Sequence, residues 1–411
     1  MKPPLRAGPL LPEPQWRRIC RETIFRHCKW DMQVGDHCAL AAFPLLLEHK
    51  EWERLAKWAE RLTAEALAAE QELLSRPELL DHLGLPGRIK KVLRDAHRRS
   101  IDGKAPRVMR FDFHWTNGGW RISEVNSDVP GGYIEASGFT ELMAEHYTST
   151  AAPPNPTQAY ARALMRRAGS ANGLIALVYA TAYSDDGQVM EYIARELRAR
   201  GLRTCLLSPA HLLWESGRAR IVCQFAQGFP DVIVRFFPAE WLPNLRSPEK
   251  WRGYFDGAGT AVSNPGTSLV TQSKRFPLTW DDLSVSLPTW RELLPATVRV
   301  RSANDLQSGR WVLKPALGRV GEGVAIARVS SDSEWHSAKW EACLHPSLWV
   351  AQLRFDVVPL EVTGKLYYPC LGIYTVEGQA CGIYGRVAEK SLIDADAQDI
   401  AVLITEDEMN A

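Results

Sequence analysis

The sequence predicts a mixed α/β protein with more than one domain, and three observations support this prediction. The chain has 411 residues, which is longer than a single hydrophobic core usually grows. Its first hundred residues carry mostly helical patterns, whereas strands and helices alternate from about residue 173. Hydrophobic residues make up 45% of the chain and charged residues 24%, as in ordinary globular proteins. We therefore expect two or three packed domains.

Composition and charge argue against several classes of protein. The 49 basic and 48 acidic residues nearly cancel, so no overall field favours nucleic acid or an acidic membrane. The amino terminus lacks the apolar core of a secretion signal, and the longest apolar run, residues 38–47, is too short to span a bilayer. The eight cysteines form no Cys-x-x-Cys pair, which argues against a zinc ribbon. We expect a soluble, cytoplasmic protein that binds no nucleic acid and no membrane.

Residues 14 to about 100 are predicted to be helical. Apolar residues recur at alternating steps of three and four from Trp52 to Leu73, which is typical of one buried stripe on a long helix. Pro77 ends this helix, because the residue before a proline avoids the helical region. A basic helix from Arg88 to Arg99 follows. Its cations could bind phosphate, although a solvated face is the more common role of such residues.

Two strand patterns then predict a hairpin. Residues 108–113 and 120–126 alternate β-branched or aromatic residues with polar ones. The residues between them include Asn117-Gly118-Gly119, which is turn chemistry. An amphipathic helix is predicted after the hairpin, over residues 134–147, and the proline-rich segment 151–157 marks a domain edge.

One face of this hairpin collects four polar side chains. Side chains alternate between faces along a strand, so a three-residue loop, residues 117–119, sets Asp112 opposite Glu124 and Arg110 opposite Asn126. Two carboxylates directly opposite each other in a sheet repel each other. A cation bound between them would neutralise this repulsion. Carboxylate and amide oxygens suit Mg2+, which shares its coordination with substrate phosphates. The alternative is a solvent-facing hairpin with ordinary surface pairs, and these residues alone favour that alternative.

From residue 173 the pattern is that of a small parallel sheet. Residues 174–179, 203–207 and 232–237 are apolar strands, and residues 188–201 form a helix between the first two. This order predicts a Rossmann-like domain. No Gly-x-Gly-x-x-Gly follows the first strand, so a dinucleotide is not indicated.

The last third of the chain contains a second chemical feature. The predicted strand 311–315 carries Lys314, and a loop with Gly318, Gly321 and Gly323 follows it. A second strand is predicted after the loop, over residues 324–329. Backbone N–H groups of such a loop can lie over phosphates, and a lysine can reach the same phosphates as a point charge. The pattern is not a Walker A loop, and on these residues alone a plain hairpin with a glycine turn is the commoner structure. Further strands are predicted over residues 348–352, 355–362, 365–376 and 380–387.

Together these features resemble the synthetase domain of glutathionylspermidine synthases and their single-domain relatives, within the ATP-grasp superfamily. The resemblance runs in family order from about residue 14 to 405. The acidic residues precede Lys314 by roughly half the chain, which resembles the permuted arrangement of glutathionylspermidine and eukaryotic glutathione synthetases. The matching stretches are Gly84-Leu-Pro-Gly87, Arg110-Phe-Asp112, Glu124-Val-Asn126-Ser-Asp128-Val-Pro130, Phe237-Pro-Ala-Glu-Trp241, Lys274, Trp311-Val-Leu-Lys-Pro315 through Gly318-Arg319-x-Gly321, Gln352 and Gly382-Ile-Tyr-Gly-Arg386.

The resemblance implies an ATP-grasp-like fold with permuted element order. It also implies an ATP- and Mg2+-dependent carboxylate–amine ligase, ADP-forming, that makes an amide bond through an acyl phosphate. Arg110 and Arg386 would stabilise negative charge while the carboxylate is phosphorylated and attacked. The other implied roles are Mg2+ binding by Asp112, Glu124 and Asn126, phosphate contacts by Lys274, Lys314 and the loop of Gly318, Gly321 and Gly323, and a place near adenine for Gln352.

The implied substrates are a small-molecule or peptide acid and an amine. Val129 stands where the family often has a hydroxyl residue, and residues 391–404 keep only a loose likeness to the family ending. No amidase-like Cys and His region precedes the synthetase part, so we expect no amidase domain, and glutathione and spermidine themselves do not follow. The alternative function is a catalytically inactive ligand-binding or regulatory protein on the same fold.

The expected domain organisation has four parts. They are an amino-terminal helical region over residues 1–105, the metal-binding hairpin and helix over residues 106–150, a Rossmann-like pre-ATP-grasp or substrate domain over residues 151–270, and a nucleotide-binding region over residues 271–411.

Overall fold

The computed structural model describes residues 3–34, 37–96, 105–170, 172–245, 247, 250–256, 259–318 and 321–406. Helices and strands mix throughout these residues, and three sheets carry the features that the sequence predicts. The central sheet holds the predicted hairpin, the parallel sheet holds parallel strands between residues 174 and 263, and the sheet that holds the strand of Lys314 is named the phosphate sheet. The mixed α/β fold class is confirmed.

The amino-terminal part was predicted to be helical, but it also contains a strand. The strand Leu45–Glu48 lies between the helices Glu13–His27 and His49–Ser75. It pairs antiparallel with Leu5–Ala7 and parallel with Val402–Thr405. The prediction of continuous helix is wrong here because the partner strands lie far away in the sequence, so no local pattern reveals the pairing.

The predicted long helix is confirmed as His49–Ser75. Its apolar stripe is fully buried from Leu55 to Leu73 and packs on the central sheet in one hydrophobic core. The Thr63 hydroxyl is hydrogen-bonded at 2.8 Å to the hydroxyl of Thr375 on that sheet. The helix therefore covers one face of the central sheet, and the opposite face remains for polar side chains.

The central sheet is antiparallel and holds the predicted hairpin. Its strands confirm the prediction over residues 365–376 and 380–387, whereas of the predicted strand 355–362 only the last three residues are extended in a ladder. In order across the sheet, the strands are Gln398–Ile400, Gln379–Ala388, Lys365–Val376, Val108–Thr116 and Gly119–Asn126, with Leu360–Val362 paired to the third.

The hairpin has the predicted pairing but not the predicted loop. Asp112 lies opposite Glu124 and Arg110 opposite Asn126, as expected. The loop has two residues rather than three, because Thr116 pairs with Gly119. A bulge after Asp112 adds one residue to the returning strand and restores the register.

The parallel sheet confirms the predicted Rossmann-like pattern. All its neighbouring strands are parallel, and the helix predicted over residues 188–201 spans Ser184–Arg198. In order, the strands are Ala261–Ser263, Val232–Phe236, Leu174–Tyr179 and Arg203–Leu207.

A fully buried ion pair joins the parallel sheet to the segment after the hairpin. The Arg235 guanidinium donates to the Asp128 carboxylate, and both side chains have 0% exposure. The second carboxylate oxygen of Asp128 accepts the Ala239 backbone N–H at 3.1 Å.

We expect Asp128→Asn to lower the free energy of unfolding by about 3 to 5 kcal/mol, because it leaves a buried guanidinium without its counter-charge. Urea unfolding measures this change. The control is Asp81→Asn, at an exposed carboxylate paired with Lys90 and Arg94, where the expected loss is below about 1 kcal/mol. Equal losses in the two variants would contradict the structural role of Asp128.

The phosphate sheet contains the strand of Lys314. The strand predicted at residues 324–329 is reduced to two residues, and the loop between it and the Lys314 strand includes residues 319 and 320, which lie outside the described residues. In order, the strands are Thr297–Val298, Trp349–Leu353, Trp311–Pro315 and Ala325–Ile326.

The remaining elements are short or lie at the periphery. The helix predicted over residues 134–147 is a π-helical turn, Glu135–Phe139, followed by Thr140–Ala144. Further α-helices are Gly87–Ala96, Pro156–Ala168, Gly253–Asp256, Leu269–Gln272, Pro288–Leu293 and Asp332–Leu344. Short 3-10 helices are Pro77–Leu83, Pro209–His211, Ala239–Asn244, Gly266–Ser268, Phe276–Thr279, Val300–Ser302, Leu306–Ser308 and Pro346–Leu348. Short strands are Gln33–Val34, His37–Cys38, Thr150–Ala151, Leu212–Glu215, Arg218–Val222 and Gln227–Gly228.

The basic helix predicted over residues 88–99 is described only as far as residue 96, and its last residues lie outside the described part of the chain. Lys90 and Arg94 of this helix both pair with Asp81 at the surface. These two residues therefore form surface ion pairs, as expected for a solvated helix face. None of the helices in the described ranges is both long enough and apolar enough to cross a membrane.

Candidate active site

A cavity of about 480 Å3 opens between the polar face of the central sheet, the phosphate sheet and the end of the parallel sheet. The residues that the resemblance assigns to the site all line this cavity except Lys274, Gly318 and Gly323. Lys274 contacts Glu124 in the lining and also Gly318. The predicted residues in the lining are Arg110, Asp112, Glu124, Asn126, Lys314, Gly321, Gln352 and Arg386. The fold thus brings two sequence features, almost two hundred residues apart, into one site.

Arg110 and Asp112 form a bidentate ion pair on the central sheet. The Arg110 Nε and Nη2 atoms donate to the two carboxylate oxygens of Asp112 at 2.8 and 3.0 Å. Asn126 also donates to Asp112, at 3.1 Å. The Arg110 Nη1 atom donates to the Gly131 carbonyl oxygen at 2.7 Å. Arg110 is therefore held beside Asp112, the residue that the sequence predicts as a metal ligand.

The second carboxylate lies between two lysines. Lys274 Nζ is 3.2 Å from a Glu124 carboxylate oxygen and also donates to the Gly318 carbonyl oxygen at 2.9 Å. Lys314 Nζ donates to the Ser123 carbonyl oxygen at 2.9 Å. Burial alone would raise the pKa of Glu124, but the charges of Lys274 and Lys314 outweigh it, so this pKa lies below its usual range. Glu124 is therefore ionised at neutral pH.

Lys314 is itself strongly affected by burial. Burial lowers the pKa of its ammonium group to about 8, with a contribution from the charge of Lys274 and opposition from Glu124 and Asp112. The buried cation is therefore close to losing its charge in the absence of an anionic ligand. A bound phosphate would restore that charge, as expected for a lysine that contacts phosphates.

The glycine loop is packed closely against a later segment of the chain. Gly321 has φ of +74°, and a Cβ there would lie 2.8 Å from the Ile393 carbonyl oxygen. A Cβ at Gly318 would lie 2.8 Å from the Pro315 ring. The segment of residues 391–397, whose likeness to the family is loose, thus forms part of the cavity wall beside this loop.

Gln352 lies at the apolar end of the cavity. Its side chain donates to the Thr297 hydroxyl at 3.1 Å, and its strand pairs it with Val312. Val312, Ile326 and Leu353 line the same part of the cavity. Flat apolar walls with a few polar groups suit a nucleobase.

The donor set of Asp112, Glu124 and Asn126 fits a hard divalent cation in chemistry, since it offers two carboxylates and an amide oxygen on one face. It does not include a third acidic or imidazole ligand, and none of the described residues forms a cluster of three or more His, Cys, Asp or Glu side chains suited to a metal. Both carboxylates are paired with cations here. A metal would therefore need to displace Arg110 and Lys274 from them, and substrate oxygens would need to complete its coordination.

Arg386 belongs to a second polar cluster at the other end of the cavity. Its Nη2 atom donates to the Asp394 carbonyl oxygen at 2.6 Å, and its Nε atom is 4.0 Å from an Asp399 carboxylate oxygen. Lys29 donates to Asp399 at 3.3 Å and forms a very short ion pair with Glu135. Burial disfavours the charged lysine, yet Glu135 and Asp399 raise the pKa of Lys29 above its usual value. Lys29 is therefore charged at neutral pH.

Sequence reasoning missed several residues that line the cavity. His114 could have been found, because it follows Arg110 and Asp112 at period two on one strand face. Lys29 and Asp399 carry no local signal, since they come from opposite ends of the chain and only the fold joins them.

His114 is a buried imidazole. Its Nε2 atom is 3.1 Å from the Ser123 hydroxyl, and its ring is 5.3 Å from that of Phe355. Burial lowers the pKa of His114 to about 4, so the ring is neutral at neutral pH.

We expect this histidine to destabilise the metal-free protein in acid. The unfolded chain binds a proton near pH 6.5, whereas the folded chain does so only near pH 4, so stability is lost as pH falls between these values. The expected contribution is a loss of about 2 kcal/mol between pH 8 and pH 5. Urea unfolding in EDTA at both pH values, for the wild type and His114→Gln, measures it. An equal loss in the variant would contradict the assignment.

The antiparallel core and the lysine-bearing sheet around this charged cavity match an ATP-grasp-like fold. The sequence model of the glutathionylspermidine synthase preATP-grasp family matches residues 9–405. The chain therefore belongs to that family, as the sequence motifs predict.

Solved structures agree on the fold. A glutathione synthetase-like effector from Globodera pallida, solved in its apo form, superposes with a TM-score of 0.64 and 12% sequence identity, over 97% of this chain and 98% of that chain. A protein from Methylobacillus flagellatus KT, assigned as a gamma-glutamylcysteine synthetase, gives a TM-score of 0.47 and 13% identity over 83% and 88% of the two chains. At these identities the first comparison supports the fold alone, and the second is too distant for an argument. No curated protein matches the sequence.

Proposed function

We propose that this protein is an ATP- and Mg2+-dependent carboxylate–amine ligase that forms an amide bond, with release of ADP, through an acyl phosphate. The observation that carries the proposal is that one cavity is lined by Asp112, Glu124 and Lys314, with Lys274 paired to Glu124. Such a site offers oxygen ligands for a divalent cation and cations for phosphates. The family supports the same chemistry, since its name is that of a synthase.

The roles follow from where each charge lies. Asp112, Glu124 and Asn126 would hold Mg2+, which neutralises phosphate charge when bound. Lys274 and Lys314 would bind the phosphates from the other side, and Gln352 would lie at the nucleobase end. Phosphoryl transfer depends on positioning and charge neutralisation rather than on a covalent protein partner.

Arg110 and Arg386 are the proposed catalytic cations. Both line the cavity, Arg110 beside Asp112 and Arg386 beside Asp399. A carboxylate between them would gain charge stabilisation as it is phosphorylated and as the amine attacks the acyl carbon.

The amine substrate would approach from the end of the cavity beside the parallel sheet. Acidic and aromatic side chains meet there: Asp31 and Asp186 line the cavity together with Tyr183 and Trp241, whose rings are stacked 6.0 Å apart. Carboxylates and aromatic faces attract ammonium groups. A cationic amine, such as a polyamine or an amino acid, suits this end better than a neutral one.

A screen for ADP release across pairs of carboxylic acids and amines tests the proposal, with Asp112→Ala as the impaired control. Calorimetric titration with ATP and Mg2+ accompanies it. ADP release above the control, in the presence of one acid and one amine, supports the ligase. ATP·Mg2+ binding without ADP release from any pair would support an inactive ligand-binding protein, and absence of ATP binding would contradict both functions.

A further inference from the structure

Tyr384 is a cavity residue that the proposed chemistry leaves without a role. Its ring lies under the Arg110 guanidinium, whose carbon is 4.8 Å from the ring centroid. Its hydroxyl donates to Asp399 at 2.5 Å. Burial keeps the pKa of this hydroxyl well above its usual value, so the group stays a donor. Tyr384 thus touches both polar clusters of the cavity at once.

The backbone around this stack is shaped for close approach. Gly132 has φ of +92°, and a Cβ there would lie 2.6 Å from the Tyr384 ring. A Cβ at Gly372, on the neighbouring strand, would lie 2.6 Å from the Arg110 side chain. These two positions without a side chain therefore leave room for the tyrosine and the arginine, since a Cβ at either one would clash with the Tyr384 ring or the Arg110 side chain.

The remaining contacts of Arg110 show why this support matters. Its carboxylate partner, Asp112, is the residue that a metal would also need. If Asp112 held a metal instead, the guanidinium would keep its contacts with the Gly131 carbonyl oxygen, the Tyr374 hydroxyl and the face of Tyr384. A guanidinium that is not neutralised by a carboxylate gains more from an aromatic face than a neutralised one does.

We propose that Tyr384 is a positioning residue, which keeps Arg110 in the cavity once Asp112 engages the metal. This inference rests on the proposed function, because it needs a metal at Asp112 and a reacting carboxylate for Arg110. The hydroxyl bond to Asp399 fixes the plane of the ring. The ring itself supports the arginine.

Two variants separate the ring from the hydroxyl, and both are made in the full chain. Tyr384→Leu removes the aromatic face, and Tyr384→Phe keeps it. Tyr367→Leu is the control, because Tyr367 lies on the neighbouring strand and packs against Phe43. Thermal unfolding of each variant measures any effect on folding.

The first readout does not depend on turnover. Calorimetric titration of Mg2+ in the presence of a non-hydrolysable ATP analogue is expected to show about 2- to 30-fold weaker affinity in Tyr384→Leu, the range that a cation–π contact supplies. Tyr384→Phe and Tyr367→Leu are expected to stay within about twofold of the wild type.

The second readout uses the acid and amine found by the ADP screen. We expect Tyr384→Leu to lower kcat by about tenfold or more with little change in KM for ATP, and Tyr384→Phe to restore most of it. A wild-type affinity and kcat in Tyr384→Leu would overturn the inference and leave the ligase standing. Failure of the wild type to bind the Mg2+–analogue complex would instead overturn the proposed function, and this inference with it.

Discussion

Asp112→Asn is expected to lower the rate of ADP release by about 100-fold or more. The substitution keeps the shape of the side chain but removes one of the two proposed anionic ligands for Mg2+ and the charged partner of Arg110. Loss of one preorganised electrostatic contact at a phosphoryl-transfer site costs about two to three orders of magnitude in rate. Steady-state ADP release with the acid and amine from the screen measures the effect.

A matched control separates this loss from a loss of folding. Glu70 is also a buried carboxylate held bidentately by an arginine, with Arg107 donating to both of its oxygens at 2.8 Å, but it does not line the cavity. Glu70→Gln is expected to destabilise the protein to a similar degree and to keep its activity at temperatures where it is folded. Equal losses of activity in the two variants would contradict the catalytic role of Asp112.

Lys314→Met is expected to weaken ATP binding by about 10- to 100-fold, because it removes a hydrogen-bond donor that is charged. It should also remove a pH dependence. The pKa of Lys314 is about 8 in the free protein, so the wild type carries the charge below pH 8 and loses it above. Wild-type affinity should therefore fall by about tenfold between pH 7 and pH 9, whereas the affinity of the variant should change little.

The control for this prediction is Lys365→Met, at an exposed lysine paired with Glu389. Calorimetric titration with ATP at both pH values compares the three proteins. If Lys314→Met bound ATP as tightly as the wild type at pH 7, the result would contradict the predicted contact between Lys314 and the phosphates.

The charged hairpin could be predicted from sequence because its information is local. Period-two alternation placed Asp112 and Glu124 on one face, and the glycine turn limited their register. The pairing was correct although the loop was one residue too long, because an unpredicted bulge after Asp112 compensates. The same alternation places His114 on this face, although the residue was not predicted as part of the site.

The rest of the site depends on contacts between distant parts of the chain. Lys29 lies just after the first helix and Asp399 near the end of the chain, and they meet through backbone pairing of Leu40 with Asp399. The strand Leu45–Glu48 likewise depends on partners from both ends of the sequence. Neither hydrophobic periodicity nor turn residues predict such contacts between distant parts of the chain. The motif resemblance supplied Arg386, but not the acidic cluster around it.

An oxygen-transfer measurement tests whether ATP activates a carboxylate for attack by an amine. The acid found by the screen is labelled with 18O in its carboxylate, and the inorganic phosphate released is analysed by mass spectrometry. In an acyl phosphate the carboxylate oxygen bonds to phosphorus, and it leaves with the phosphate when nitrogen attacks the acyl carbon. We expect one 18O atom per phosphate, in amounts equal to ADP and amide. Phosphate that contains no label from the acid would show that water, rather than the carboxylate, receives the phosphoryl group, and would contradict the proposed acyl phosphate.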